Sequence, residues 1–112
     1  MECVRVGFEV AVLAYKKGYV GDYGWGYNAG NDKLTLYRGR PPYPAPTQCI
    51  LQKWLREEHD IHIINNFVHQ EDKKKYECIV YDNRNKAWHL AEVYNTYEEG
   101  LEAKLLEALN LI

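Results

Sequence analysis

Four prolines fall within six positions, at Pro41, Pro42, Pro44 and Pro46, and they divide the chain more firmly than anything else in it. Proline fixes φ and lacks a backbone donor, so Arg38 to Pro46 has to run extended, polyproline-like, without a hydrogen-bond ladder of its own. Regular elements must lie on one side of this connector or the other. With 112 residues there is room for one hydrophobic core, so both sides have to share it in a single domain.

On the N-terminal side, residues 4–17 read two ways. Val4, Val6, Phe8, Val10 and Val12 alternate with smaller or polar residues at the period of a half-buried strand. Phe8, Val12 and Tyr15 also share a helical face, with Glu9 where a helix start favours a carboxylate and Lys16-Lys17-Gly18 as a glycine stop. Residues 19–46 then change to Tyr, Gly, Asn and Pro. Tyr23, Trp25 and Tyr27 alternate with Gly24 and Gly26, which puts rings on one face and bare backbone on the other, so another part of the protein must approach that bare face closely. Asn28 to Asp32 supplies a turn, and Lys33 to Tyr37 returns as the second strand of a hairpin.

Beyond the connector, residues 47–112 predict a helix, a three-stranded meander and a closing helix. Thr47 can cap a helix over 48–59 whose apolar stripe is Ile50, Leu51, Trp54 and Leu55. Ile61 to Phe67 and Tyr76 to Tyr81 read as strands joined by a polar loop, Gln70 to Lys75, and Lys86 to Leu90 reads as the third. Thr96-Tyr-Glu-Glu99 matches a capping box, and the helix it opens presents Tyr97, Leu101, Leu105, Ala108, Leu109 and Ile112 on one side. Helices and antiparallel strands in this order imply an α+β domain of two layers, an antiparallel sheet with about three helices packed on it.

Composition narrows the function classes. The net charge of −2 offers no broad basic field for nucleic acid or an anionic membrane, and Lys73-Lys74-Lys75 stands beside Glu71-Asp72, which cancels much of its field. The longest apolar run near the start, Val10 to Tyr15, is too short for a membrane span. Three cysteines, Cys3, Cys49 and Cys78, are odd in number and without Cys-x-x-Cys spacing, which suggests reduced thiols and a cytoplasmic location. His59, His62 and His69 invite a metal, but no single helix presents them at ligand pitch. There is no serine for a hydrolase elbow, and Cys49, although near a helix start, adjoins Ile50 and Leu51 as small core filler. No catalytic residue, metal or cofactor is implied.

What remains is an excess of tyrosine, ten against two phenylalanines, a composition suited to half-buried faces and contact surfaces. Tyr23, Trp25, Tyr27, Tyr37, Arg38, Arg40 and Tyr43 form the candidate binding segment, because stacked rings and guanidiniums build protein contact patches and pockets for planar ligands alike. The alternative is that these rings only cover a sheet.

Ala45-Pro-Thr-Gln48, Leu51-Gln-Lys-Trp-Leu-Arg-Glu57 and Ile61-His-Ile63, with Phe8-Glu-Val-Ala11, Gly18-Tyr19, Tyr97 to Glu102 and Leu105 to Leu109, resemble short uncharacterised proteins encoded by Bacteroides phages and mobile elements. The resemblance covers about half the chain. It implies a helix over residues 7–17, although Gly7 stands where those proteins carry a capping Ser, and it brings no biochemical activity. The expectation is a non-enzymatic accessory protein that binds a host or phage protein, with a homodimer allowed. The alternative is a binder of a nucleotide-like small molecule.

Overall fold

Thr47 and Thr96 both act as helix caps. The Thr47 hydroxyl accepts from the Ile50 amide at 3.3 Å, and the Thr96 hydroxyl from the Glu99 amide at 3.1 Å. The computed structural model describes residues 4–21 and 24–112, so Tyr23 lies outside the described residues. In chain order these form α1 (Phe8–Lys16), β1 (Trp25–Asn28), β2 (Asn31–Leu36), β3 (Tyr43–Pro44), α2 (Gln48–His59), β4 (Ile61–Gln70), β5 (Lys73–Asp82), β6 (Ala87–Trp88), β7 (Glu92–Tyr94) and α3 (Tyr97–Leu109).

The ambiguous opening segment is extended only as far as Val6 and helical from Phe8. Arg5 pairs with Thr47 as an isolated antiparallel bridge, and the Val6 amide donates to Pro46 O at 3.0 Å. The helix has no side-chain cap of its own. Instead the Gly7 amide donates to Glu102 Oε2 of α3 at 2.7 Å, and Glu102 Oε1 accepts from Gln48 Nε2 at the start of α2. One carboxylate on α3 thus takes the backbone amide that begins α1 and the side chain of the first residue of α2, tying all three helices together.

The expected hairpin and meander form two antiparallel sheets rather than one. The smaller has the order β2-β1-β3, and in the larger β5 is flanked by β4 on one side and by β6 and β7 on the other. Helix α1 packs on the smaller sheet, α2 and α3 pack on the larger, and α3 touches both other helices. The core lies between them and includes Val10, Leu51, Leu55, Val80, Leu101 and Leu105. The bare backbone of β1 is covered as expected: a Cβ at Gly26 would lie 2.4 Å from Pro41 and 2.6 Å from the Tyr43 carbonyl, so the proline connector folds over it.

Three expectations need correction. The proline connector is not without a ladder: its Tyr43–Pro44 forms β3 and pairs with β1 at Tyr27↔Tyr43 and Gly26↔Pro44, and the Ala45 amide donates to Trp25 O at 3.0 Å, since a proline is tolerated on an edge strand where neighbouring residues supply the donors. Gln70 to Lys75 is not a loop, because β4 and β5 pair without interruption from Ile61↔Asp82 to Gln70↔Lys73. The turn is only Glu71-Asp72, both at positive φ (52° and 61°), the conformation of a two-residue type I′ hairpin built here without glycine. The third strand is broken into β6 and β7 around Leu90, whose carbonyl accepts from Lys104 Nζ at 3.1 Å. Lys104 is fully buried, and Glu92 Oε1 at 2.6 Å and Glu107 Oε2 at 2.7 Å complete its partners. Among the described residues no helix is long and apolar enough to cross a membrane.

Candidate functional site

The candidate binding segment does not converge on one place. Tyr27 is 5% exposed; its hydroxyl donates to Val6 O at 2.9 Å and its ring meets Phe8 edge-on at 5.6 Å. Burial first, then the negative charge of Glu102, raises its pKa, which keeps it a neutral donor. Tyr27 is therefore a core tyrosine and is withdrawn from any contact surface. Tyr43 is half-buried and packs edge-on against Tyr15 at 5.4 Å and Phe8 at 6.4 Å, which attaches α1 to the smaller sheet. Tyr37 is also half-buried, Arg38 is exposed, and Arg40 borders a separate cleft of about 70 Å³ with Tyr15, Tyr19 and Val20. Neither arginine borders the Trp25 concavity.

Trp25 does reach the surface, 39% exposed, beside a small concavity of about 170 Å³ lined also by Arg5, Tyr19, Pro44 and Ile50. The guanidinium that stacks on it is that of Arg5, 5.9 Å from the ring centroid and anchored by donation to Ala45 O at 2.7 Å. Arg5 is twenty positions from Trp25, and the pairing of residues 4–6 against 46–48 brings it there, so sequence spacing carried no signal for it. Ligand pockets usually occupy roughly 300–1,000 Å³, so this concavity is too small for a nucleotide-like molecule.

A larger aromatic surface lies on the face of the β4–β5 sheet turned away from the helices. Opposed residues in an antiparallel pair share a face, so His62↔Tyr81 and Tyr81↔Trp88 place His62, Tyr81 and Trp88 together. The opposite face carries Ile61, Ile63, Cys78 and Val80, all buried. Trp88 is 61% exposed, its ring 4.4 Å from that of Tyr81, and with His62, Ile64, Arg56 and Asn83 the two line an open concavity of about 490 Å³. Sequence reasoning placed Trp88 in a strand but not on a surface; the signal available was its alternation with Ala87 and His89.

Other candidate chemistry is structural. His62 bonds Asp60 at 2.9 Å and His59 packs on the Trp54 ring at 4.7 Å; among the described residues no three His, Cys, Asp or Glu come together to hold a metal. Cys49 is disulfide-bonded, which corrects the reading of reduced thiols and removes the argument from thiols for a cytoplasmic location. Cys78 is a buried free cysteine whose thiol burial pushes up in pKa, the opposite of an activated nucleophile. Compared with protein-family models, curated proteins and solved structures, the chain matches none.

Proposed function

We propose that the protein is a non-enzymatic accessory protein of a phage or mobile element that works by binding another protein through the Trp88 face of its larger sheet. The observation that supports this is the pairing of Trp88 and Tyr81 at the surface with Arg56 at the rim of the same concavity. Trp, Tyr and Arg are the side chains that dominate protein–protein hot spots, and although about 490 Å³ falls in the size range of ligand pockets, the concavity is open to solvent rather than enclosed, which favours a protein partner. The phage or mobile-element origin rests on the resemblance of the helical blocks. The Trp25 concavity, with Arg5 stacked on the ring, is the smaller and secondary patch.

The test is capture of host and phage proteins by wild type, Trp88→Ala and Trp25→Ala, with binding of the identified partner then measured by calorimetry. A partner held by wild type and Trp25→Ala and lost with Trp88→Ala is expected. Loss through Trp25→Ala alone moves the site to the small concavity, and a partner indifferent to both overturns the reading. Thermal shift with a nucleotide panel should show no stabilisation.

A further inference from the structure

The sheet edges of this molecule are not equally protected. An exposed edge strand presents unpaired N–H and C=O groups, and proteins guard such edges with charges, prolines or short, broken strands. The outer strand β2 carries Asp32 and Lys33, and β3 is two residues long, contains Pro44 and lies between Pro42 and Pro46. Opposite β4, the far edge of the larger sheet is broken into β6 and β7. Strand β4 has none of these devices. It is ten residues long, IHIINNFVHQ, without Pro, Lys, Arg, Asp or Glu.

The turn fixes which of its backbone groups are free. A two-residue hairpin closes on a hydrogen-bonded pair, here Gln70↔Lys73, and such pairs alternate along an antiparallel ladder. Val68, Asn66, Ile64 and His62 therefore bond to β5, and His69, Phe67, Asn65 and Ile63 turn their backbone groups outward. An independent contact agrees: the Ile63 carbonyl accepts from Gln52 Nε2 of α2 at 3.0 Å, which occupies the edge at that point. Beyond Ile63, no described residue bonds the outward groups of Asn65, Phe67 and His69.

We infer that this protein forms a two-fold dimer in which β4 pairs antiparallel with β4 of a second copy, centred on Phe67. Three free residues in a row have one symmetric register that uses them all and avoids Ile63: Phe67 opposite Phe67, and Asn65 opposite His69 on each side. That register makes about six backbone hydrogen bonds and joins the two larger sheets into one. It covers Phe67, now 52% exposed, with its own counterpart, and it sets His69 of the second copy opposite Asn65. A strand without charge can pair with itself without like-charge repulsion, which favours a second copy over a charged peptide.

Sedimentation velocity up to high micromolar concentration tests this. Wild type should sediment at twice the 13.2 kDa chain mass. Phe67→Lys and Phe67→Glu should each be monomeric yet still unfold cooperatively, with a melting temperature that no longer rises with protein concentration as that of the wild-type dimer does, because each puts like charges on the dyad, and an equimolar mixture of the two should dimerise again. On the backbone His69→Pro removes an outward N–H and no bond to β5, so it should also be monomeric while His69→Ala stays dimeric, and the test survives if a Phe67 variant fails to fold. A monomeric wild type, a dimer that persists in Phe67→Lys and His69→Pro, or a monomer that takes up an extended peptide along β4 would each overturn the proposal. Trp88→Ala should leave the dimer intact, which separates this outcome from the fate of the Trp88 docking surface.

Discussion

Tyr27 and Trp25 stand two positions apart on one strand, yet one is sealed and the other half open. The β1–β2 register shifts between Gly26 and Asn28, and the ring of Tyr27 falls under α1 where Val6 O waits for its hydroxyl. Tyr27→Phe should cost about 1 kcal/mol in urea unfolding, the usual worth of such a bond, with the orphaned carbonyl setting the upper end. Trp25→Ala should cost much less than Trp54→Ala, for which about 3 kcal/mol is expected because Trp54 packs against Tyr19 at 5.5 Å and His59 at 4.7 Å. Equal losses would return Trp25 to the core. Asp82 governs acid sensitivity. Hydrogen bonds from Arg84 at 3.0 Å to both carboxylate oxygens, with Asn85 adding a third, hold its pKa well below the usual carboxylate range against the opposing effect of burial. A lowered folded-state pKa means the stabilisation is fully present above the ordinary value of about 4 and fades as pH falls below it. Urea midpoints should therefore drop between about pH 4 and pH 2, and Asp82→Asn should flatten part of that slope, Asp60 and Glu92 supplying the rest.

Among the elements, α2 and α3 were legible because their caps are local: a threonine hydroxyl three residues from its amide is a sequence pattern. Helix α1 was not, since its first turn is served by Glu102, ninety-five positions away. The full length of the β4–β5 hairpin is hidden in the sequence for a related reason. Glu71-Asp72 takes positive φ without glycine or asparagine, and a single Asp between Glu71 and three lysines is a weak signal for a tight turn. Close approach of elements is equally silent. A Cβ at Gly100 would lie 2.4 Å from Cys78 Sγ and 2.9 Å from the Tyr94 ring, so Gly100 is the point where α3 presses onto β5. Gly100→Ala, although favourable to an isolated helix, should destabilise the protein by about 1–3 kcal/mol in thermal unfolding, as overpacking does.

At the scale of the molecule, two sheets that share no ladder are held together by helices, and α3 is the member that meets both other helices and the larger sheet. Leu105→Ala on that helix, fully buried, should cost about 2–5 kcal/mol, and hydrogen exchange should quicken in both sheets in parallel. Acceleration confined to β4 and β5 would mean the smaller sheet unfolds on its own.

Periodicity and capping chemistry act within a few residues, so the chain alone determined its α+β class and its second and third helices, whereas the proline connector, expected to run without a ladder, lends β3 to the smaller sheet. What only the tertiary structure decided are features that join distant positions: the split into two sheets, Glu102 holding the start of α1 and the Gln48 side chain, Arg5 rather than Arg38 or Arg40 on Trp25, and Trp88 rather than Tyr27 at the surface. Each depends on which face a neighbour covers, and burial is a property of the assembled packing that no local spacing encodes.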